Sequence, residues 1–245
     1  MGNLQPPMST DTHTKPPAPD ASARTGAAPE GLSRLIPNRV RWWPRKLGYV
    51  WGPRVASALR KRWVLLRNPH ATIRFEGPVY LGPGFSLHMP DGGEFIVGPN
   101  VEFRRNFRAE IGSNGRVVIG ANSYLTYDVI IACSTTVEIG EGCGLAQATF
   151  VADGSHRYRD LDIPFKDQGY DFRPIKIEDE VHIHSKCTIV SDIGRRSVIG
   201  ANAVVSRPIP PFCLAAGVPA KVLDYFGPEG EEPPELAGTR SDRSG

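Results

Sequence analysis

Aliphatic side chains recur every six residues through much of this 245-residue chain. The period appears in four sets of three: Ile119, Leu125 and Ile131; Ile139, Leu145 and Val151; Ile177, Ile183 and Ile189; Ile193, Ile199 and Val205. Helices repeat every 3.6 residues and strands every 2, so a sustained period of six indicates short strands separated by regular corners. Three hexads would form one triangular coil, and stacked coils would bury the aliphatic side chains. We therefore expect an all-β fold, a parallel β-helix.

The period has one long break, between Val151 and Ile177. Residues 152–176 are predicted to form an excursion loop, and they include His156. Two smaller departures, one step of eight residues and one of four, are expected to be absorbed at corners. Binding and catalytic residues are concentrated on loops that a rigid scaffold positions. The loop is therefore the first place to look for chemistry.

The two ends of the chain have compositions that do not favour a packed core. Residues 1–30 are rich in Pro, Ser, Thr and Ala, and residues 226–245 are rich in Pro and Glu. We expect both to be disordered tails. Residues 31–70 are predicted to be a basic, Trp-rich helical segment, and residues 71–225 the β-helix.

The helical segment concentrates the positive charge of the chain. Between Gly31 and Arg74 there are eleven Lys or Arg residues and no acid, and all four Trp residues lie there. Such a segment fits a cap on the β-helix, a contact with an anionic membrane surface, or a polyanion site. No nucleic-acid-binding motif accompanies the charge, so we expect no nucleic acid partner. A membrane contact through residues 31–66 remains open.

Cysteine usage and hydropathy favour a cytoplasmic protein. The four Cys residues have no CxxC spacing, which favours reduced thiols over a disulfide framework or a metal site. The N-terminus lacks the layout of a signal peptide, and no run approaches the roughly 18 apolar residues of a membrane span. Attachment to the inner face of the membrane is compatible with these features.

A more specific pattern lies towards the C-terminus. The run IGANAVVSRPIPPFCLAAGVPAKVL at 199–223, preceded by hexads and by IEDEVHIHS, resembles the hexapeptide-repeat acyltransferases, most closely their galactoside, maltose and xenobiotic acetyltransferase branch. In that family a His follows the Gly of a coil motif by sixteen residues, as His156 follows Gly140. The resemblance covers roughly residues 97–225. It implies a left-handed β-helix, homotrimers, and acetyl transfer from acetyl-coenzyme A to a hydroxyl of a sugar or glycoconjugate, with no metal.

The resemblance also implies roles for individual residues. His156 would be the general base, since a neutral imidazole can take the proton of the acceptor hydroxyl as its oxygen attacks the thioester. Asp128, in place of a family Asn, would orient His156 or hold the acceptor, and Asp153, three residues before His156, competes for that role. The implied coenzyme-binding residues are His182, Ser185, Ala201, Ser206 and Lys221.

The aromatic residues of the loop have two interpretations. Tyr158, Phe165, Tyr170 and Phe172 lie among charged residues. Such a surface suits a sugar, whose faces stack on aromatic rings while its hydroxyls bind polar groups. The same rings would equally attach the loop to a neighbouring subunit.

His182 and His184 stand where the family commonly has Trp and Gly. Two residues apart on a strand, they are expected to share an outward face, with Ile183 inward. The exchange removes an aromatic wall beside the coenzyme arm, so a longer acyl donor remains possible. It also leaves a non-catalytic binding or scaffold β-helix as an alternative. A zinc protein like the γ-class carbonic anhydrases is less favoured, because the His spacing of that class is missing.

Overall fold

The structure, a computed structural model, describes residues 52–234 and 236. All of them lie in the compact unit formed by residues 46–245. The predicted tail at 1–30, the beginning of the helical segment up to residue 51, and most of residues 235–245 lie outside the described residues.

The described residues form one α-helix and a series of short strands, most of them in three parallel sheets. The helix, α1, spans Gly52–Arg67. The first sheet contains β1 (Thr72–Phe75), β4 (Glu94–Val97), β7 (Arg116–Ile119), β10 (Thr136–Ile139) and β15 (Ile175–Ile177). The second contains β2 (Val79–Leu81), β5 (Val101–Phe103), β8 (Tyr124–Leu125), β11 (Gly144–Leu145), β16 (His182–Ile183), β18 (Val198–Ile199), β20 (Cys213–Ala216) and β21 (Lys221–Tyr225). The third contains β3 (Ser86–His88), β6 (Arg108–Ile111), β9 (Ile130–Cys133), β12 (Phe150–Ala152), β17 (Thr188–Ile189) and β19 (Val204–Val205).

The chain visits the three sheets in turn, which confirms the predicted parallel β-helix. Strands one coil apart pair in parallel register, so that Ile119 lies beside Ile139 and Leu125 beside Leu145. All twelve aliphatic residues of the four sets are at most 2% exposed. Stacked coils thus share one continuous core between the sheets.

The size of each coil is set at one corner. Successive inward residues are six apart across the other two corners, but the step from the third sheet to the first varies. This step is ten residues from Leu87 to Val97, eight from Ile131 to Ile139, twenty-six from Val151 to Ile177, and four from Ile189 to Ile193. We call this corner the hairpin edge, because the excursion loop leaves the β-helix there.

The wider coils near α1 enclose larger side chains. Phe85, Phe95, Phe103 and Phe107 form a cluster in which ring centroids lie 4.6 to 6.2 Å apart. The narrower coils towards the C-terminus are filled by Ile, Val and Ala side chains. Core volume therefore follows coil length, as close packing requires.

The corner between the second and third sheets repeats a left-handed backbone conformation. Asn106 (φ 62°) and Asp128 (φ 59°) occupy it in successive coils, and Asn106 Nδ2 donates to Asp128 Oδ1 at 2.9 Å. Asn and Asp tolerate this conformation well. Ala148 and Lys186 adopt it too, at φ 56° and 61°. We call this corner the Asp128 edge.

Helix α1 covers the exposed edge of the second sheet. The Leu81 N–H donates to Ser57 Oγ at 2.8 Å, and Arg60 Nη1 donates to Leu81 O at 2.7 Å. Val64 of the same helix is buried in the hydrophobic core. The helix therefore satisfies main-chain groups of β2 that an uncovered edge strand would leave unpaired.

The apolar row of α1 faces away from the β-helix. Val55, Leu59, Trp63 and Leu66 are 57, 61, 61 and 76% exposed. Their spacing suggests a core-facing stripe, but the hydrogen bonds of Ser57 and Arg60 turn the other face inward. No helix within residues 52–234 is long and apolar enough to cross a membrane.

The start of the expected C-terminal tail packs against the β-helix. β21 pairs antiparallel with β20, and the Phe226 N–H donates to Phe212 O at 3.0 Å. Pro233 is buried. Residues 226–234 therefore extend the cover at this end of the molecule.

Candidate functional site

His156 lies on a β-hairpin at the hairpin edge. Strands β13 (Gly154–His156) and β14 (Tyr170–Phe172) pair antiparallel, with His156 opposite Tyr170. The His156 ring lies 4.2 Å from the Tyr170 ring and 5.2 Å from the Phe165 ring, centroid to centroid. The imidazole is exposed. A paired strand and two ring contacts therefore hold a solvent-accessible imidazole.

The tip of the hairpin is held by one amide side chain. Gln168 Nε2 donates to Asp160 O at 2.8 Å and to Ile163 O at 2.9 Å. A cavity of about 390 Å³ opens beside it. It is lined by Arg157, Tyr158, Arg159, Asp160, Ile163, Gln168 and Asp171. Its volume and mixed lining are within the range of small-ligand sites.

Asp153 anchors the root of the hairpin. It is 5% exposed, and its carboxylate accepts hydrogen bonds from Ser134 N, Thr135 N and Thr135 Oγ1 at 2.6 to 3.0 Å. Its own carbonyl accepts from Arg173 N at 2.7 Å. Its carboxylate therefore makes its hydrogen bonds to the turn before β10. Within the described residues, no hydrogen bond joins it to His156.

Asp128 lies on the Asp128 edge of the β-helix, whereas His156 lies on the hairpin edge. Its carboxylate is exposed and accepts the hydrogen bond from Asn106. A single chain therefore does not bring Asp128 and His156 together.

The residues predicted to bind the coenzyme also lie away from His156. Ile183 is 2% exposed while His182 and His184 on either side are exposed, as predicted for one outward face. Ser185 and Ala201 lie on the Asp128 edge, Ser206 follows β19, and Lys221 is exposed on β21. Most of these positions follow the second sheet and its corner with the third.

The four cysteines are buried small residues of the core. All are free thiols. Burial, with a smaller contribution from Asp153, raises the pKa of Cys133 to about 12, and burial raises the pKa of Cys143 to about 11. Both thiols are protonated at neutral pH and are not nucleophiles there. No group of three or more His, Cys, Asp or Glu side chains in residues 52–234 and 236 is arranged to hold a metal.

Sequence reasoning missed Tyr124. Its hydroxyl lies 3.3 Å from His182 Nδ1, and the two residues are 58 positions apart. A signal was present in Gly144, because an isolated Gly within a strand often marks a close approach of neighbouring groups.

Comparison with known proteins finds similar acetyltransferases. No family model matches the chain. It is 34% identical over 177 residues to a probable acetyltransferase of Mycobacterium tuberculosis, covering 67% of this chain and 56% of that protein. It is 33% identical over 129 residues to the galactoside O-acetyltransferase of Escherichia coli, covering 52% and 62% respectively. Both relatives support the resemblance to the hexapeptide-repeat acyltransferases.

Solved structures of two acetyltransferases are also similar. The galactoside acetyltransferase in complex with coenzyme A gives a TM-score of 0.49 at 25% identity, covering 70% of this chain and 72% of that one. A hexapeptide-repeat acetyltransferase of Vibrio cholerae complexed with acetyl-coenzyme A gives 0.47 at 25% identity, covering 69% and 78%. The chain spans less than two thirds of the two curated relatives named above, 56% and 62% of their lengths.

The chain has the parallel β-helix that the resemblance to these acyltransferases implies. It departs from the common pattern of the family at His182 and His184, which replace Trp and Gly. Both imidazoles are exposed. The outer face of β16 is therefore more polar than in a member that carries Trp there.

Proposed function

We propose that this protein is an acetyltransferase that moves an acetyl group from acetyl-coenzyme A to a hydroxyl of a sugar or glycoconjugate. The observation that carries the proposal is an exposed imidazole, His156, held on a hairpin where the β-helix is interrupted. Its sixteen-residue distance from Gly140 matches the family pattern, and the two relatives named above are a probable acetyltransferase and a galactoside O-acetyltransferase.

His156 is the general base of the proposed reaction. Its neutral imidazole takes the proton of the acceptor hydroxyl as the oxygen forms a bond to the thioester carbonyl carbon. The carbon–sulfur bond then breaks, and the coenzyme leaves as a thiol with the proton that His156 accepted. The ring contacts with Tyr170 and Phe165 limit the orientations of the imidazole and so favour this geometry.

The proposed acyl-donor site runs along the second sheet and the Asp128 edge. Lys221 is exposed there, and its ammonium group suits the phosphates of coenzyme A. Ala201 would contribute its main chain, and Ser185 and Ser206 their hydroxyls, to the pantetheine arm. With imidazole in place of indole at His182, acyl groups longer than acetyl fit the proposal equally well.

The separation of His156 from this donor site supports a homotrimer. The hairpin edge of one copy would complete a site with the second sheet of the next, giving three sites. The hairpin exposes the apolar side chains of Leu161 (97%), Ile163 (43%) and Phe172 (45%), which another copy would cover.

Asp128, rather than Asp153, is the carboxylate we assign to the acceptor or to the base. Asp153 is buried, and its carboxylate is hydrogen-bonded to Ser134 and Thr135 at the hairpin root. Asp128 is exposed on the edge that a neighbouring copy would approach. The cavity at the hairpin tip is our candidate for the sugar.

We also propose contact with an anionic membrane surface through residues 31–66, of which residues 52–66 are described. The exposed row of Val55, Leu59, Trp63 and Leu66 is apolar. Residues 52–67 contain five Lys or Arg and no acid. Apolar and basic side chains together favour the interface of an anionic bilayer.

Titration with coenzyme A tests the proposed function against a non-catalytic scaffold. We expect calorimetry to show binding of acetyl-coenzyme A or a longer acyl-coenzyme A to the purified protein, and release of coenzyme thiol when a panel of sugars is added. Absence of binding by every acyl thioester would favour the scaffold.

A further inference from the structure

Tyr124, Gly144 and His182 occupy equivalent positions in three successive coils. Gly144 pairs with Tyr124 on one side and with His182 on the other, on the outward face of the second sheet. The two side chains meet above the glycine, with Tyr124 Oη 3.3 Å from His182 Nδ1. They form a polar pair on a face that is otherwise open to solvent.

Gly144 makes room for this pair. A Cβ at Gly144 would lie 2.5 Å from Tyr124 Oη and 3.0 Å from His182 Nδ1. Gly144 is not among the residues of positive φ, so its backbone does not require glycine. Glycine is needed at this position because any side chain would displace Tyr124 or His182.

The contact can select one tautomer of His182, because the Tyr124 hydroxyl either donates to an unprotonated Nδ1 or accepts from Nδ1–H. When the Tyr124 hydroxyl donates, Nδ1 is the unprotonated acceptor. The proton of a neutral imidazole is then on Nε2, because the bond at one ring nitrogen sets the state of the other. His182 is exposed, and its Nε2 makes no hydrogen bond to residues 52–234 or 236.

We propose that Tyr124 holds His182 as the Nε2–H tautomer and that this N–H binds a carbonyl oxygen of the pantetheine arm or thioester of the acyl donor. The inference rests on the proposed function. The indole of Trp offers only an N–H donor, whereas an unconstrained His presents a donor or an acceptor. Tyr124 is thus a positioning residue that lets His182 supply the donor that Trp would offer.

Coenzyme A affinity of the full chain is the first measurement. Tyr124→Phe removes the hydroxyl and keeps the ring, and we expect about fivefold weaker binding by calorimetry. Tyr80→Phe is the matched control, because Tyr80 lies two coils earlier on the same face. We expect it to bind as the wild type does.

A second measurement separates positioning from a general structural effect. Gln at position 182 keeps an N–H donor that needs no tautomer, so in a His182→Gln background Tyr124→Phe should change affinity little. Imidazole ¹⁵N spectra should show His182 mainly as the Nε2–H form in the wild type and as a tautomer mixture in Tyr124→Phe.

The outcomes distinguish the two proposals. If the wild type binds neither coenzyme A nor acetyl-coenzyme A, both the proposed function and this inference are overturned. If the wild type binds but Tyr124→Phe matches Tyr80→Phe, or the tautomer is unchanged, this inference alone is overturned.

Discussion

At the scale of single residues, Asp153 shows how a loop is fixed to a β-helix. A buried carboxylate that accepts main-chain hydrogen bonds from Ser134 and Thr135 ties the first residue of the excursion to the turn before β10. Hydrogen bonds to a charged group in a buried place are among the stronger ones. The position of His156 therefore depends on a residue that does not bond to it.

Asp153→Asn should weaken the fold. The amide can accept fewer of these bonds, and we expect the free energy of unfolding in urea to fall by about 2–3 kcal/mol. Asp162→Asn, at an exposed position of the same hairpin, is the control and should change it by less than about 0.5 kcal/mol. A variant of Asp153 with unchanged stability but lost turnover would instead assign Asp153 to orienting His156.

At the scale of elements, the two faces of helix α1 have different roles. One face caps β2, and the other exposes an apolar row beside basic residues. Removal of that row should leave the fold intact, since its side chains are exposed.

Leu59→Gln with Trp63→Gln should release the protein from anionic vesicles. Burial of each side chain in a bilayer contributes about 1.5–3 kcal/mol, so we expect at least about tenfold weaker binding to vesicles of phosphatidylcholine with 30% phosphatidylglycerol. Leu223→Gln, exposed on β21, is the control. Co-sedimentation of the double variant at the wild-type level, or no wild-type binding at all, would contradict the membrane proposal.

The six-residue period predicts the strands and the buried aliphatic residues, because each inward position contacts its equivalents one coil away. Local sequence does not predict which face of α1 packs, since that is decided by Ser57 meeting Leu81, 24 residues on. The site shows the same limit. His156 and the exposure of His182 follow from spacing, whereas the partners of Asp153 and the Tyr124 contact depend on residues 18 to 58 positions away.

At the scale of the whole molecule, the proposed site needs more than one chain. His156 is on the hairpin edge, and the proposed donor site follows the second sheet and the Asp128 edge. The exposed apolar residues of the hairpin are the natural contact with another copy.

Leu161→Glu with Ile163→Glu should destabilise the trimer. We expect the wild type to sediment at three times the 26.8 kDa mass of one chain. The dissociation constant of the variant trimer should be at least about tenfold higher, because charges in an apolar contact lose their hydration. Leu66→Glu, at an exposed position on α1, is the control. A monomeric wild type, or a variant as trimeric as the wild type, would count against this assembly.

The turnover of His156→Ala is the most direct test of the proposed catalysis. With acetyl-coenzyme A and a sugar that the wild type acetylates, we expect kcat to fall by about 10²–10⁴-fold, because proton transfer by a positioned base is lost. Coenzyme A affinity and trimer mass should be unchanged, and His70→Ala, at another exposed histidine, should keep wild-type turnover. Near-normal turnover by His156→Ala would contradict the account.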